Sequence, residues 1–338
     1  MKISLCINYH LNNKIFDLND IVVNRDNCLF PYYMLKKRLA LHGIQISTCD
    51  IVSPKNADLT FYFDYDSDKK GFSKKNYLFL FESNIIKPLG WYKEVQNKFN
   101  KIFTWDDELV DNKKYFKINF TQLFPKKKEL EEVLRPFSEK KLCTLLSGNK
   151  MIQHPNELYS ERIKIIKWFE VYHPNDFEFY GIGWNIATVH NKYINFILKK
   201  LKFFNKIFVN YKTYKGKVIS KKEILRNYKF VICFENAKNL SGYITEKIFD
   251  CFFSGVIPIY WGAENITTHI PKECFIDYRE FNSYEELFNY INRMKESEYN
   301  NYLENIKKYL LSDLSDQFKE KFLSDVIIRH VLNEIPKI

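Results

Sequence analysis

The chain has 338 residues, 46% of them hydrophobic and 17% aromatic, with only ten glycines and ten prolines. This composition excludes disordered and collagen-like chains and is long enough for two packed cores. The formal charge of +11 is local: between Lys192 and Lys229 twelve Lys or Arg stand against the single acid Glu223, and the rest of the chain balances.

In chain order, residues 2–8 alternate as a first strand, and Pro31–His42 reads as a helix stopped by Gly43. Strands follow at Ile44–Cys49, Asp58–Asp64 and Tyr77–Phe81, an order that predicts an α/β domain. Glu82 then stands at the carboxyl end of an apolar strand, before a helix expected over Leu89–Asn100 and a strand over Lys101–Trp105. The acidic runs Asp64-Tyr65-Asp66-Ser67-Asp68 and Asp106-Asp107-Glu108 imitate a metal site, but the first leads into Lys69-Lys70-Gly71 and no histidine lies near it. They read as solvated loops, because a hard cation needs several convergent oxygens.

Pro125–Lys141, with its lysine clusters, is the expected linker. Beyond it come a strand at Leu142–Leu146 with Ser147-Gly148-Asn149 at its end, a helix over Glu157–Tyr172 with Arg162 on its polar side, and a strand at Phe177–Tyr180. Gly181 and Gly183 lack the third glycine of a dinucleotide fingerprint and read as a turn. His154, His173 and His190 are scattered and are expected to be structural. Tyr193–Phe208 patterns as a basic amphipathic helix, either docked on its own domain or lying on an anionic membrane. Three helices are expected at Tyr284–Met294, Ser297–Leu311 and Ser315–Glu334.

The richest stretch is Lys229–Gly262: a strand over Lys229–Phe234, a polar loop over Glu235–Ser241, a helix from about Gly242 to Ser254, a break at Gly255, and a strand over Val256–Trp261. That βαβ pattern implies a parallel sheet, which binds ligands beyond the carboxyl ends of its strands. Glu235, Asn236, Tyr243, Glu246 and Lys247 would gather there. A helix start and a lysine attract phosphate, and a carboxylate can accept hydrogen bonds from both hydroxyls of a ribose, so a nucleotide is the expected ligand.

Phe234-Glu235-Asn236, then Tyr243, Thr245-Glu246-Lys247, Gly255, Pro258 and Gly262 resemble the donor motif of the α1,3/α1,4-fucosyltransferase family, whose members transfer L-fucose from GDP-fucose with inversion. The resemblance implies an α/β, GT-B-like fold, two Rossmann-like domains facing a cleft, with C-terminal helices. On it, residues 1–140 form an acceptor-side domain, 141–312 the donor domain, and 313–338 a helix that packs back across the linker. It also implies Glu82 as the catalytic base, with capping of the following helix as the alternative role. Lys247, Arg162 and Tyr243 would bind the diphosphate, Glu246 the ribose, Asn236 the sugar or its phosphate, and Ser147 the nucleoside. No metal and no cofactor beyond the GDP-fucose donor are expected.

The expected partners are a GDP-sugar and a glycan acceptor, with peripheral contact to an anionic membrane through 192–208 as a further expectation and no nucleic acid. The competing readings are another GDP-sugar as donor, or a protein that binds nucleic acid or an anionic surface through 192–229. No run of about twenty apolar residues occurs, the start of the chain turns polar too early for a signal peptide, and seven cysteines show no C-x-x-C pattern. A cytoplasmic protein is expected.

Overall fold

The structure, a computed structural model, describes residues 1–20, 22–130, 135–185, 211–218 and 220–334. The chain divides into two compact units, one of residues 1–124, 241–246 and 313–338, the other of residues 125–240 and 247–312.

The first unit is built on six parallel strands, β1 (Lys2–Cys6), β2 (Gln45–Thr48), β3 (Leu59–Phe63), β4 (Asn76–Leu80), β5 (Lys101–Thr104) and β6 (Tyr115–Lys117), in the order β2-β1-β3-β4-β5-β6. Every residue of β3 (LTFYF) and β4 (NYLFL) is buried, as expected of central strands covered on both faces. Phe61, Phe63, Tyr77, Phe79 and Phe103 point to one core, together with Leu35 and Leu39 of helix Phe30–Ala40 and Leu323, Ile327 and Val331 of helix Glu320–Leu332. Tyr62, Leu78, Leu80 and Ile102 point to the other, with Val95 and Phe99.

The second unit holds a five-stranded parallel sheet: β7 (Lys141–Leu146), β8 (Phe177–Tyr180), β9 (Tyr228–Phe234), β10 (Ile257–Trp261) and β11 (Ile276–Asp277), ordered β11-β10-β9-β7-β8. Its core packs β7, β8, β9 and β10 against Ile165, Ile166 and Phe169 of helix Tyr159–Tyr172 and Leu287 and Ile291 of helix Tyr284–Arg293.

Three sequence expectations are corrected. The helix expected over Leu89–Asn100 is a 3-10 turn at Pro88–Trp91 and a single turn at Lys93–Gln96, because Pro88 and Gly90 break the run and Trp91 is held by a hydrogen bond to Glu82. The helix expected over Ser315–Glu334 is interrupted: Lys319 is extended, and the Phe318 carbonyl accepts from the Gln122 N–H at 2.8 Å. The helix expected from Gly242 begins at Glu246. Short elements escape the sequence pattern altogether, namely β6, β11 and helix Lys221–Leu225. Among the described residues, no helix is long and apolar enough to cross a membrane.

Candidate nucleotide-sugar site

In the second unit the strand order changes direction between β7 and β9, since β8 follows on one side of β7 while β9 and β10 lie on the other. Parallel sheets bind ligands beyond the carboxyl ends of the strands at such a point. Arg162 occupies it. Its guanidinium donates to Ser147 Oγ (3.1 Å) at the end of β7, and to the Phe234 carbonyl (2.6 Å) and Asn236 Oδ1 (3.2 Å) at the end of β9. Arg162 is 4% exposed, so the fork of donors is fixed by the protein before any ligand arrives. The approach loop is anchored too: the Leu158 N–H donates to the Asn236 carbonyl, and Lys238 N–H to that of Asn156. These bonds tie the loop that leads into the helix bearing Arg162 to the end of β9.

Two glycines make room for this geometry. At Gly181 (φ +145°) a Cβ would lie 1.7 Å from the Ser147 carbonyl oxygen, and at Gly262 one would lie 2.5 Å from Glu235 Cγ. Glu235 is fully buried at the end of β9, and its Oε2 accepts from Lys247 Nζ at 3.0 Å. A buried carboxylate requires such a partner, so Lys247 is held in the first turn of helix Glu246–Phe253 rather than left to wave in solvent. Four residues named from the sequence thus converge in one unit: Ser147, Arg162 and Asn236 through direct hydrogen bonds, and Lys247 through Glu235, the neighbour of Asn236.

Tyr243, Glu246 and Glu82 belong to the other unit. Tyr243 is buried, its ring 4.7 Å from that of Trp105 and 5.9 Å from that of Phe120. Glu82 is partly exposed just past β4. Its peptide N–H donates to Asp64 Oδ1 at 2.8 Å and its carbonyl accepts from Trp91 Nε1 at 3.0 Å. Asp64 corrects the sequence reading, which made it part of a solvated loop. It is 5% exposed, and burial raises its carboxyl, partly offset by the hydrogen bonds of the Glu82 and Phe81 N–H groups and by the Lys87 charge. Asp66, two residues on, is exposed as expected. In the second acidic run, Asp107 pairs with Lys117 and receives no metal-like company; among the described residues no group of three or more His, Cys, Asp and Glu side chains could hold a metal ion.

Of the basic segment, residues 211–218 and 220–229 are described, and four of its seven Lys and Arg there have a charged or aromatic partner. Lys215 lies 3.4 Å from Glu178, Lys221 2.6 Å from Asp250 and Arg226 3.4 Å from Glu223, while Lys229 sits 3.7 Å from the Phe137 ring centroid. The amphipathic helix expected at 193–208, and His190, lie outside the described residues. His173 stacks on Phe288 with ring centroids 3.5 Å apart, a structural role.

Two parallel α/β sheets, each presenting polar groups at the carboxyl ends of its strands, define the GT-B class of glycosyltransferase folds. Solved structures share it over the full length: an α1,3-fucosyltransferase with GDP superposes with a TM-score of 0.60 at 18% identity, covering 100% of this chain and 91% of that one. An α-glucosyltransferase in complex with UDP and DNA gives 0.54 at 12% identity, covering 97% of this chain and 100% of that one. Residues 183–328 match the family described as glycosyltransferase family 10 (fucosyltransferase), C-terminal part. The α-(1,3)-fucosyltransferase FucT of Helicobacter pylori is 42% identical over 74 residues, 22% of this chain and 15% of that protein. The bovine 4-galactosyl-N-acetylglucosaminide 3-α-L-fucosyltransferase 9 is 32% identical over 125 residues, 36% of this chain and 33% of its own length. The chain thus spans at most about a third of the length of these curated relatives.

Proposed function

We propose that the protein is an inverting glycosyltransferase that moves L-fucose from GDP-fucose to a hydroxyl of a glycan acceptor. The observation that carries this reading is the preformed Arg162 fork at the β7/β9 crossover, lying in the same unit as Lys247 of the family motif. In the proposed assignment Arg162, Lys247 and Tyr243 bind the diphosphate, Glu246 the ribose, Asn236 the sugar or its phosphate, and Ser147 the nucleoside. Glu82 is the base. It takes the proton of the acceptor hydroxyl as that oxygen forms a bond to the anomeric carbon, and the bond from that carbon to the diphosphate oxygen breaks on the opposite face. The electron pair leaves with GDP, so cations fixed around the diphosphate stabilise the transition state more than the ground state. No metal is assigned to this reaction. The ion pairs of Lys215, Lys221 and Arg226 with acids of the same unit weigh against a nucleic-acid reading.

Calorimetric titration with GDP-fucose, GDP-mannose and GDP, with chelator present, tests the donor. GDP-fucose is expected to bind more tightly than GDP-mannose, and Glu246→Gln to weaken it by about tenfold through the lost ribose contact. Lys247→Ala should abolish binding, with its melting curve recorded alongside because this lysine also neutralises Glu235. Failure of every GDP species to bind the folded protein overturns the reading. Preference for GDP-mannose would move the assignment to another GDP-sugar. The bovine relative's name makes 4-galactosyl-N-acetylglucosamine the first acceptor probe.

A further inference from the structure

We infer that Asp64, Trp91 and Trp105 are positioning residues for Glu82, holding the backbone on both sides of it through side-chain hydrogen bonds; this rests on the reading of Glu82 as the base. The β4 ladder ends at Leu80. Past that point the peptide groups would ordinarily turn to water. Here all four backbone polar groups of Phe81 and Glu82 are taken by side chains. Both N–H groups donate to the same oxygen, Asp64 Oδ1, at 2.8 Å each. The Phe81 carbonyl accepts from Trp105 Nε1 at 2.9 Å, and the Glu82 carbonyl from Trp91 Nε1 at 3.0 Å.

The three side chains come from three places: the end of β3, the 3-10 turn after β4, and the end of β5. Asp64 bears a cost that a plain strand end would not incur. Asp64 adopts a left-handed backbone (φ +52°) and carries a nearly buried carboxyl whose nearest ion-pair partner, Lys87, is 4.0 Å away. Trp105 is 1% exposed, with its ring 5.2 Å from that of Trp91. Its indole also carries Tyr243 of the donor motif, so one side chain supports both the Phe81 carbonyl and the motif segment. With its backbone fixed, Glu82 retains only side-chain torsions, which is the pre-organisation a base needs, since a misplacement of about 1 Å can cost about a hundredfold in rate.

The test follows GDP release from GDP-fucose, with 4-galactosyl-N-acetylglucosamine as acceptor and with water alone. Trp91→Phe keeps a ring and deletes the N–H, Asp64→Ala deletes the shared acceptor, and Asp64→Asn restores an acceptor oxygen. Trp91→Phe and Asp64→Ala are expected to lower kcat about 10–100-fold with donor KM within about twofold of wild type, and Asp64→Asn to regain most of the loss. Should Asp64→Ala not fold, the partly exposed Trp91 position decides. A wild-type kcat in Trp91→Phe, a donor KM that rises in step with the fall in kcat, or an Asp64→Asn no better than a folded Asp64→Ala would each overturn the inference. Glu82→Gln separates the two readings: full activity in it removes the base assignment itself, whereas an inactive Glu82→Gln beside a normal Trp91→Phe removes only the positioning role.

Discussion

Lys247 sits with its ammonium partly exposed and its partner Glu235 sealed from solvent, 3.0 Å away. Removing the lysine takes an ion-pair partner from a buried carboxylate, so Lys247→Ala should destabilise the protein by about 3 kcal/mol, read as a lower urea midpoint, while Glu235→Gln combined with Lys247→Met should recover much of that loss. The same lysine is therefore both a ligand residue and a structural one. Its place was legible in the sequence, because Asn236 and Lys247 flank a strand end and a helix start in a pattern with its own chemistry. The partnership with Glu235 was not, since burial of that carboxylate depends on Gly262 leaving space beside it. Asp64 was misread for a similar reason. Acidic and basic residues follow it in sequence, and only the tertiary fold turns its side chain inward onto the Phe81 and Glu82 N–H groups.

Helix Glu320–Leu332 docks on helix Phe30–Ala40 and on the first sheet, with Arg38 donating to Ser324 Oγ and pairing with Asp325. Its carboxyl end carries two acid-sensitive groups. Burial, with the Lys101 and Arg329 charges, lowers His330 from its ordinary value to about 4. Glu334 is lowered to about 2: burial opposes this, and is outweighed by hydrogen bonds from Lys75, Tyr77 and Lys101 and by the Lys101 charge. Both folded values lie below the unfolded ones. The contribution of His330 is thus complete above pH 6.5 and lost as pH falls toward 4, and that of Glu334 is complete above about 4.5 and lost toward 2. Melting temperature should fall between pH 6.5 and 4, and His330→Phe should flatten that part of the curve. At this scale the long strands were legible to within a residue or two, because aromatic and β-branched runs bounded by polar loops allow few other readings. The interrupted helix around Lys319 was not: its break answers to the Gln122 N–H, almost two hundred residues earlier in the chain.

Full-length superposition on a fucosyltransferase at 18% identity indicates that the two sheets are specified by hydrophobic pattern far more than by particular residues, which is why the fold class could be read and the interaction partners in the first unit could not. The chain passes between its units four times, after residues 124, 240, 246 and 312. Residues 1–124 expressed alone lack both the 241–246 segment and the helix that covers Leu35 and Leu39, and should show no cooperative melt by circular dichroism, whereas the full chain should. The same arrangement has a consequence for synthesis. At about 5–20 residues per second a ribosome needs roughly 10–40 s to go from residue 124 to the helix beginning at Glu320. For that interval the six-stranded sheet waits with an uncovered face, a natural client for a chaperone and the point at which crowding in an overexpressing cell would first turn nascent chain into aggregate.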